Sequence, residues 1–262
     1  MRRVRTLTAR VAILATAVSV TAAALAPAAA RSQGAGTTDV VADVRQIVTF
    51  RWLPGREADA TAIYTGPLRA IYDRVPAIGR VRVFREAESP EPLDLVVVTH
   101  YASMAQMDTA NAQLRTQSEG GRRALQFYGD LSAMSAGHHD QFVEMLPHLR
   151  VSRDTASAPR GALVVYEYLR AVPGGLEALE RELELRVRPA ERASAAAWRS
   201  ETGRMLVSDG WTHLRIHTVS SLGAWQQFVA ATRTAPTHRA YERQIAARKI
   251  IILRHLPDAD VR

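Results

Sequence analysis

Cysteine is absent from all 262 residues, which excludes disulfides, thiolate metal sites, iron–sulfur clusters and a cysteine nucleophile. Lysine occurs once, at Lys249, and aromatic residues make up 6% of the chain. A nucleic-acid surface needs clustered basic residues with aromatics among them. Here the arginines alternate with acids, the pattern of a solvated surface, so nucleic acid is not expected as a partner. Also missing are G-x-G-x-x-G, a P-loop, H-E-x-x-H, a G-x-S-x-G elbow and S-x-x-K, motifs whose spacing carries particular chemistries. Nucleotide-dependent and hydrolytic reactions lose their main support. No run reaches the roughly 20 strongly apolar residues that span a bilayer.

The nearest such run, Val11 to Ala26, is rich in Ala and Thr and has a different reading. It follows ten residues with four arginines and no acid, and precedes Pro27 and Ala28-Ala29-Ala30. That order of basic region, apolar region and small residues is an export signal. Residues 1–30 are therefore expected to be cleaved, leaving the protein secreted or periplasmic with no membrane attachment. Without the signal, 30 basic residues stand against 26 acidic ones, a net +4. The rest of the chain has room for two domains of roughly 100 residues. At 47% apolar and 23% charged residues it has ordinary globular composition.

Residues 31–43 are small and polar and read as a tether, residues 151–161 (VSRDTASAPRG) as an interdomain linker, and residues 258–262 as a tail. Between them, residues 44–150 and 162–257 repeat one plan. Strand-like runs Arg45 to Trp52 and Leu163 to Ala171 end at Pro54-Gly55 and Pro173-Gly174, with Arg51 and Arg170 equally far ahead of them. Helical stretches follow, about 57–74 and 176–192; in the second, Leu176, Leu179, Leu183 and Val187 recur at helical spacing. Two further strand-like runs come next in each block, 79–85 and 93–101 against 195–201 and 211–219, joined by Ser89-Pro90-Glu91-Pro92 and Ser208-Asp209-Gly210 turns. His100 and His217 close the third run of each block, and Ser103 or Ser221 is placed to cap a helix. More helix, about 121–133 and 237–248, leads to a last strand.

Each block thus reads β-α-β-β-α-β, the order of the ferredoxin-like unit. Helices cover one face of such a sheet and leave the other in need of a partner. The expected fold class is α+β: two tandem ferredoxin-like domains packed sheet to sheet as a pseudo-dimeric α/β barrel. The chain would then be a monomer with an internal pseudo-dimer. A homodimer is the alternative, with each domain pairing with another chain.

The second block carries Tyr166-Glu167-Tyr168-Leu169-Arg170, Pro173-Gly174, Glu201-Thr202-Gly203, the strand end at His217 with Ser221-Leu222 after it, and Pro236 with Tyr241. In these features residues 163–255 resemble the NIPSNAP-like group of the dimeric α/β-barrel superfamily. The first block keeps the outline, with Arg51, Pro54-Gly55 and His100 with Ser103-Met104. Trp198 lies three residues upstream of Glu201, close to where the family often carries a tryptophan. The resemblance implies the fold. It also implies kinship with cofactor-free monooxygenases, with haem-binding and haem-degrading proteins and with members of no known reaction, among which a fold does not choose.

Alternation along a strand puts Trp211, His213, Arg215 and His217 on one face and Thr212, Leu214 and Ile216 on the other. The apolar set is expected to pack on helices, leaving the polar-aromatic set to line the barrel interior. Tyr166, Tyr168 and Arg170 share a face of their own strand. If that face is also inward, these residues, His213, Arg215 and His217 line one cavity, with His100 as the counterpart in the first block. An arginine there would hold a carboxylate or enolate, and His217 would serve as acid/base or haem ligand. Alternatively, Arg215 pairs with Glu167 or Glu201 and the histidines close structural hydrogen bonds. His138-His139-Asp140 has ligand chemistry, but neighbours on a strand point opposite ways, and a polar loop is expected there. No metal and no cofactor are expected. The function expected is small-molecule binding without demonstrated catalysis, with a cofactor-free or haem-linked oxygenase and an interaction scaffold as alternatives.

Overall fold

A computed structural model describes residues 43–88, 94–152, 161–233 and 238–260. The export signal, nearly all of the tether, most of the linker, the Ser89–Pro92 turn, Pro236 and the last two tail residues lie outside them.

The chain begins with β1 (Val44–Trp52), α1 (Glu57–Ile63), a π-helical turn Tyr64–Leu68 and α2 (Arg69–Asp73), then β2 (Arg80–Glu88), β3 (Leu95–Tyr101) and α3 (Met104–Thr116). A two-residue ladder, β4 (Ser118–Glu119) with β5 (Arg122–Arg123), precedes α4 (Ala124–Met134), β6 (Ser135–Met145) and the short β7 (Val151–Ser152). There follow β8 (Leu163–Ala171), α5 (Leu176–Glu182), a second π turn Leu183–Val187, α6 (Arg188–Ala193), β9 (Ala197–Val207), β10 (His213–Val219), α7 (Leu222–Arg233), α8 (His238–Glu242) and β11 (Ile245–His255). Gly55 and Gly174 take positive φ of 78° and 72°, which is why both first strands stop at Pro-Gly: glycine alone enters that region without strain. Ser103 caps α3, its Oγ accepting from Gln106 N at 3.1 Å.

The strand order is β10-β8-β11-β2-β3-β1-β6-β9-β7, and a further β9–β10 pairing closes eight strands into an antiparallel ring. Strands β2-β3-β1-β6 and β9-β10-β8-β11 stand in the same order, joined by β2–β11 and β6–β9. The interior is one apolar cluster drawn from both sets, with Ile47, Val98, Val143, Tyr166, Tyr168, Leu214, Ile216 and Leu253. The outer faces pack on helices through three further clusters.

Several boundaries depart from the sequence reading: β2 continues to Glu88, and Val151–Ser152, read as the start of the linker, pair with β9. Strand β9 runs on to Val207 because Met205 and Val207 pair with Val143 and Phe142 of β6, a seam between distant segments. Helix α8 stops at Glu242 instead of continuing to residue 248, because Ile245 and Ala247 join β8 opposite Ala171 and Arg170.

Candidate functional site

A cavity lies outside the ring, between its outer face and the helices of residues 57–134. Alternation turns Gln46, Val48 and Phe50 of β1 outward. The registers Gln46–Thr99, Val48–Val97, Val48–Asp140 and Phe50–His138 extend that surface across β3 and β6. Tyr64, Tyr72, Asn111, Leu114, Arg115 and Tyr128 form the roof, and the cavity holds about 430 Å³. Tyr64 opens the π turn, which widens the helix above the sheet.

Its polar groups sit among aromatic rings. Tyr128 OH donates to Tyr72 OH at 2.9 Å, Tyr101 OH to Gln46 Oε1 at 3.2 Å, and Gln46 Nε2 to Asp140 Oδ1 at 3.0 Å. His138 stacks on Phe50 and lies 3.7 Å from Asp140, both half-exposed at the mouth. Burial raises the phenols of Tyr64, Tyr72 and Tyr101 and pushes Tyr128 up to about 12. Near neutrality they are hydrogen-bonding phenols, not bases. Four of the chain's seven tyrosines meet here, a concentration between residues 64 and 128 that the sequence displays and that could have located the site. His138 and Asp140 stand on β6, where a loop was expected. His139 turns the other way, 3.5 Å from Asp209.

The residues singled out in the second block do not share a cavity. Leu214 and Ile216 face the interior with Tyr166 and Tyr168, while His213, Arg215 and His217 face the helices, the reverse of the expected assignment. The reason lies in the charges: the acids and rings that satisfy these side chains are on α5 to α8 and on neighbouring strands, whereas Leu214 and Ile216 meet the apolar cluster of Ile47, Val98, Val143, Tyr166, Tyr168 and Leu253 inside the ring. Arg215 binds Glu167 and Glu191 and donates to Tyr241 OH at 3.0 Å. His217 Nδ1 lies 3.0 Å from Ser200 Oγ, with its ring against Trp225 and Phe228. His213 Nε2 is 3.0 Å from Glu180 Oε1. Burial alone would raise Glu167, but Arg215 and then His217 and Arg248 outweigh it and hold its carboxyl at about 2. The space left beside Glu167 and Arg215 is about 40 Å³, room for about one water. Tyr168 OH donates to Gln141 Oε1 inside the ring at 2.9 Å. Arg170 is exposed over Trp211, its Nε donating to Gly210 O at 2.9 Å.

His100 is not the counterpart of His217. Gln46 and Val165, each five residues before the arginine preceding Pro-Gly, pair with Thr99 and His217 respectively. His100 therefore lies on the opposite face, 3.6 Å from Asp43 at one end of the ring. A one-residue slip in the sequence comparison reverses the face.

No protein-family model matches this sequence, and no curated protein is similar to it. Solved structures do match. A candidate monooxygenase from Fusobacterium nucleatum is 9% identical with a TM-score of 0.58, over 83% of this chain and 94% of that one. An anthrone oxidase-like protein is 11% identical with a TM-score of 0.56, over 83% and 92%. Chlorite dismutase from Candidatus Nitrospira defluvii, in complex with imidazole, is 11% identical with a TM-score of 0.53, over 82% and 92%. At such identities the likeness establishes the fold alone, a mixed α/β fold with a large antiparallel sheet and helices.

Proposed function

We propose that this is an exported small-molecule-binding protein whose ligand, a planar aromatic compound with hydroxyl or carbonyl substituents, occupies the cavity over β1, β3 and β6. The observation that carries the reading is that cavity itself. Its volume of about 430 Å³ falls within the roughly 300–1,000 Å³ of ligand sites, and its phenols, Gln46 and Asp140 are set among apolar walls. Export rests on the basic, apolar and small-residue order of residues 1–30. The same proposal takes residues 44–150 and 162–257 as tandem ferredoxin-like domains of a monomer, of NIPSNAP-like kind, joined by the linker at 151–161. The identical strand order of the two sets supports this.

A cofactor-free oxygenase acting on such a ligand is the second reading. It is favoured by His138 beside Asp140 at the mouth, an imidazole and carboxylate able to take a phenolic proton. A haem does not fit the second block, where about 40 Å³ remains and His217 is committed to Ser200. The interaction scaffold has no support comparable to the cavity.

Fluorescence titration with 1-naphthol, a planar phenol, tests the binding reading. Saturable binding of one equivalent is expected for the native protein and should be lost in Thr99→Phe, which places a ring in the cavity, with the far-UV spectrum unchanged. Equal binding by both proteins would refute the location. Oxygen consumption with the bound phenol, abolished in His138→Ala, would select the second reading.

A further inference from the structure

The end of the ring where β1, β2, β8 and β9 begin carries an excess of guanidinium groups. Arg45 pairs in register with His100, Arg80 with His100, and Arg82 with Val98. Val98 belongs to the interior cluster, so these side chains point inward or rim the opening. Arg199 and Glu201 join them from β9, two and zero residues from the position paired with Ile216. Glu201 is gripped by three arginines: Arg45 at 3.0 Å, Arg199 at 2.8 Å and Arg150 at 3.7 Å. Arg45 also binds Asp43 at 2.8 Å, and Arg80 lies 3.8 Å from Asp260. Arg45, Arg80, Arg82, Arg150 and Arg199 thus stand with Asp43, Glu201 and Asp260, five guanidinium groups with three carboxylates in this cluster.

The excess falls on particular atoms. Arg82 makes no ion pair among the described residues, and its Nε, like that of Arg199, is buried with no hydrogen-bond partner. Burial and the repulsion of Arg80, Arg199 and Arg45 weaken its hold on its proton, against one attraction from Asp260. Buried donors without acceptors are costly. Arg80, Arg150 and Arg199 remain 44%, 49% and 31% exposed, so solutes reach the cluster. Guanidinium forks match the geometry of phosphoryl oxygens and bind them bidentately.

We propose that this end of the barrel binds a phosphoryl dianion between Arg82 and Arg199. The site is on the interior side of the sheet, apart from the aromatic cavity on its outer face, and stands whether or not that cavity binds a ligand. The excess of two guanidinium groups in the cluster suits a dianion, and the buried Nε–H groups of Arg82 and Arg199 supply donors that no described residue uses.

The test is calorimetric titration of the purified protein with inorganic phosphate, and in parallel with glycerol 3-phosphate, chloride holding ionic strength constant. One saturable site is expected. Arg82→Gln should weaken it at least about tenfold. Arg56→Gln, which removes an equal charge from an exposed pair with Asp59, should change it less than about twofold. Without phosphate, Arg82→Gln should melt no lower than the native protein, since it relieves repulsion and breaks no ion pair. Tighter binding of the ester would mark a phosphomonoester as the ligand, and tighter binding of phosphate the free ion. Absence of saturable binding by both anions, or equal effects of Arg82→Gln and Arg56→Gln, would overturn the proposal.

Discussion

Replacing Arg215 with methionine, similar in length and uncharged, tests whether the buried charge cluster is as dry and as tightly coupled as its geometry indicates. Arg215 is 4% exposed and is ion-paired with both Glu167 and Glu191, which are 5% and 4% exposed. Removing one partner of a buried ion pair costs about 3–5 kcal/mol, because the remaining charge keeps its desolvation penalty. For a chain of this size that is a fall in Tm of about 6–20 °C. The pH dependence carries the diagnosis. Glu167 is held at about 2 against an ordinary 4.5, so it contributes about 3 kcal/mol above pH 4.5 that is lost as pH falls through 2. In Arg215→Met the strongest opposing charge is gone and burial weighs more against Glu167, whose carboxyl rises, so the gain in stability with pH should shrink or reverse. Native protein should therefore gain stability between pH 3 and 7 while Arg215→Met gains little or loses it. Urea denaturation followed by tryptophan fluorescence at several pH values measures both. The triple variant Glu167→Gln/Glu191→Gln/Arg215→Met removes all three coupled charges, leaves Arg248 paired with Glu242, and should be less costly than Arg215→Met alone. A single-variant penalty under about 1 kcal/mol at pH 7, or parallel pH profiles, would refute a dry, coupled cluster.

Three further outcomes follow from the packing. Gly203→Ala should destabilise by about 1–3 kcal/mol or more, because a Cβ there collides with Val143 Cγ1 and lies 2.9 Å from Glu144 O and Met145 Sδ; thermal denaturation measures it, and an unchanged Tm would contradict the tight β6–β9 seam. Ser103→Ala should cost about 1 kcal/mol through loss of the α3 cap, read from urea midpoints, with little effect expected of Ser103→Thr. All seven tyrosines are raised by burial, so folded protein should show almost no phenolate absorbance at pH 10. Since the unfolded chain ionises near 10, stability should decline above that pH, and for Tyr128 its contribution is gone once pH passes about 12.

The element order was legible because Pro-Gly stops, alternation and helical spacing are local signals. Strand β9 was read too short because its last residues are held by β6, more than 50 residues away in sequence. The facing of β10 is not legible locally, because alternation divides residues into two sets without saying which set is inward. The usual rule puts the apolar set on the helices, but a closed ring has an apolar interior of its own, and Leu214 and Ile216 fill it. Of the alternatives open for Arg215, pairing with Glu167 describes the structure, and Glu191, whose role no pattern in α6 announced, completes it. The cavity was missed because its walls come from β1, β3, β6 and four helical segments, none of which looks unusual alone.

One cross-strand pair explains why the two outer faces differ. Val48 stands opposite Val97 in the first set, and Glu167 opposite Arg215 in the second. Two valines leave the floor low, and a cavity of about 430 Å³ remains beneath the roof. Glutamate and arginine rise from the equivalent positions, meet Glu191 and Tyr241 from the helices, and reduce the space to about 40 Å³. Opening the second site would strand Glu191 and Arg248 as well, whereas the first lacks any such obligation. A buried ion network is retained for specificity of packing in some folds; here it fastens helices α6 and α8 to the sheet. One face is fastened by charge and the other is hollow; the proposed ligand therefore belongs to the hollow face of the first block, and the Thr99→Phe titration tests that proposal.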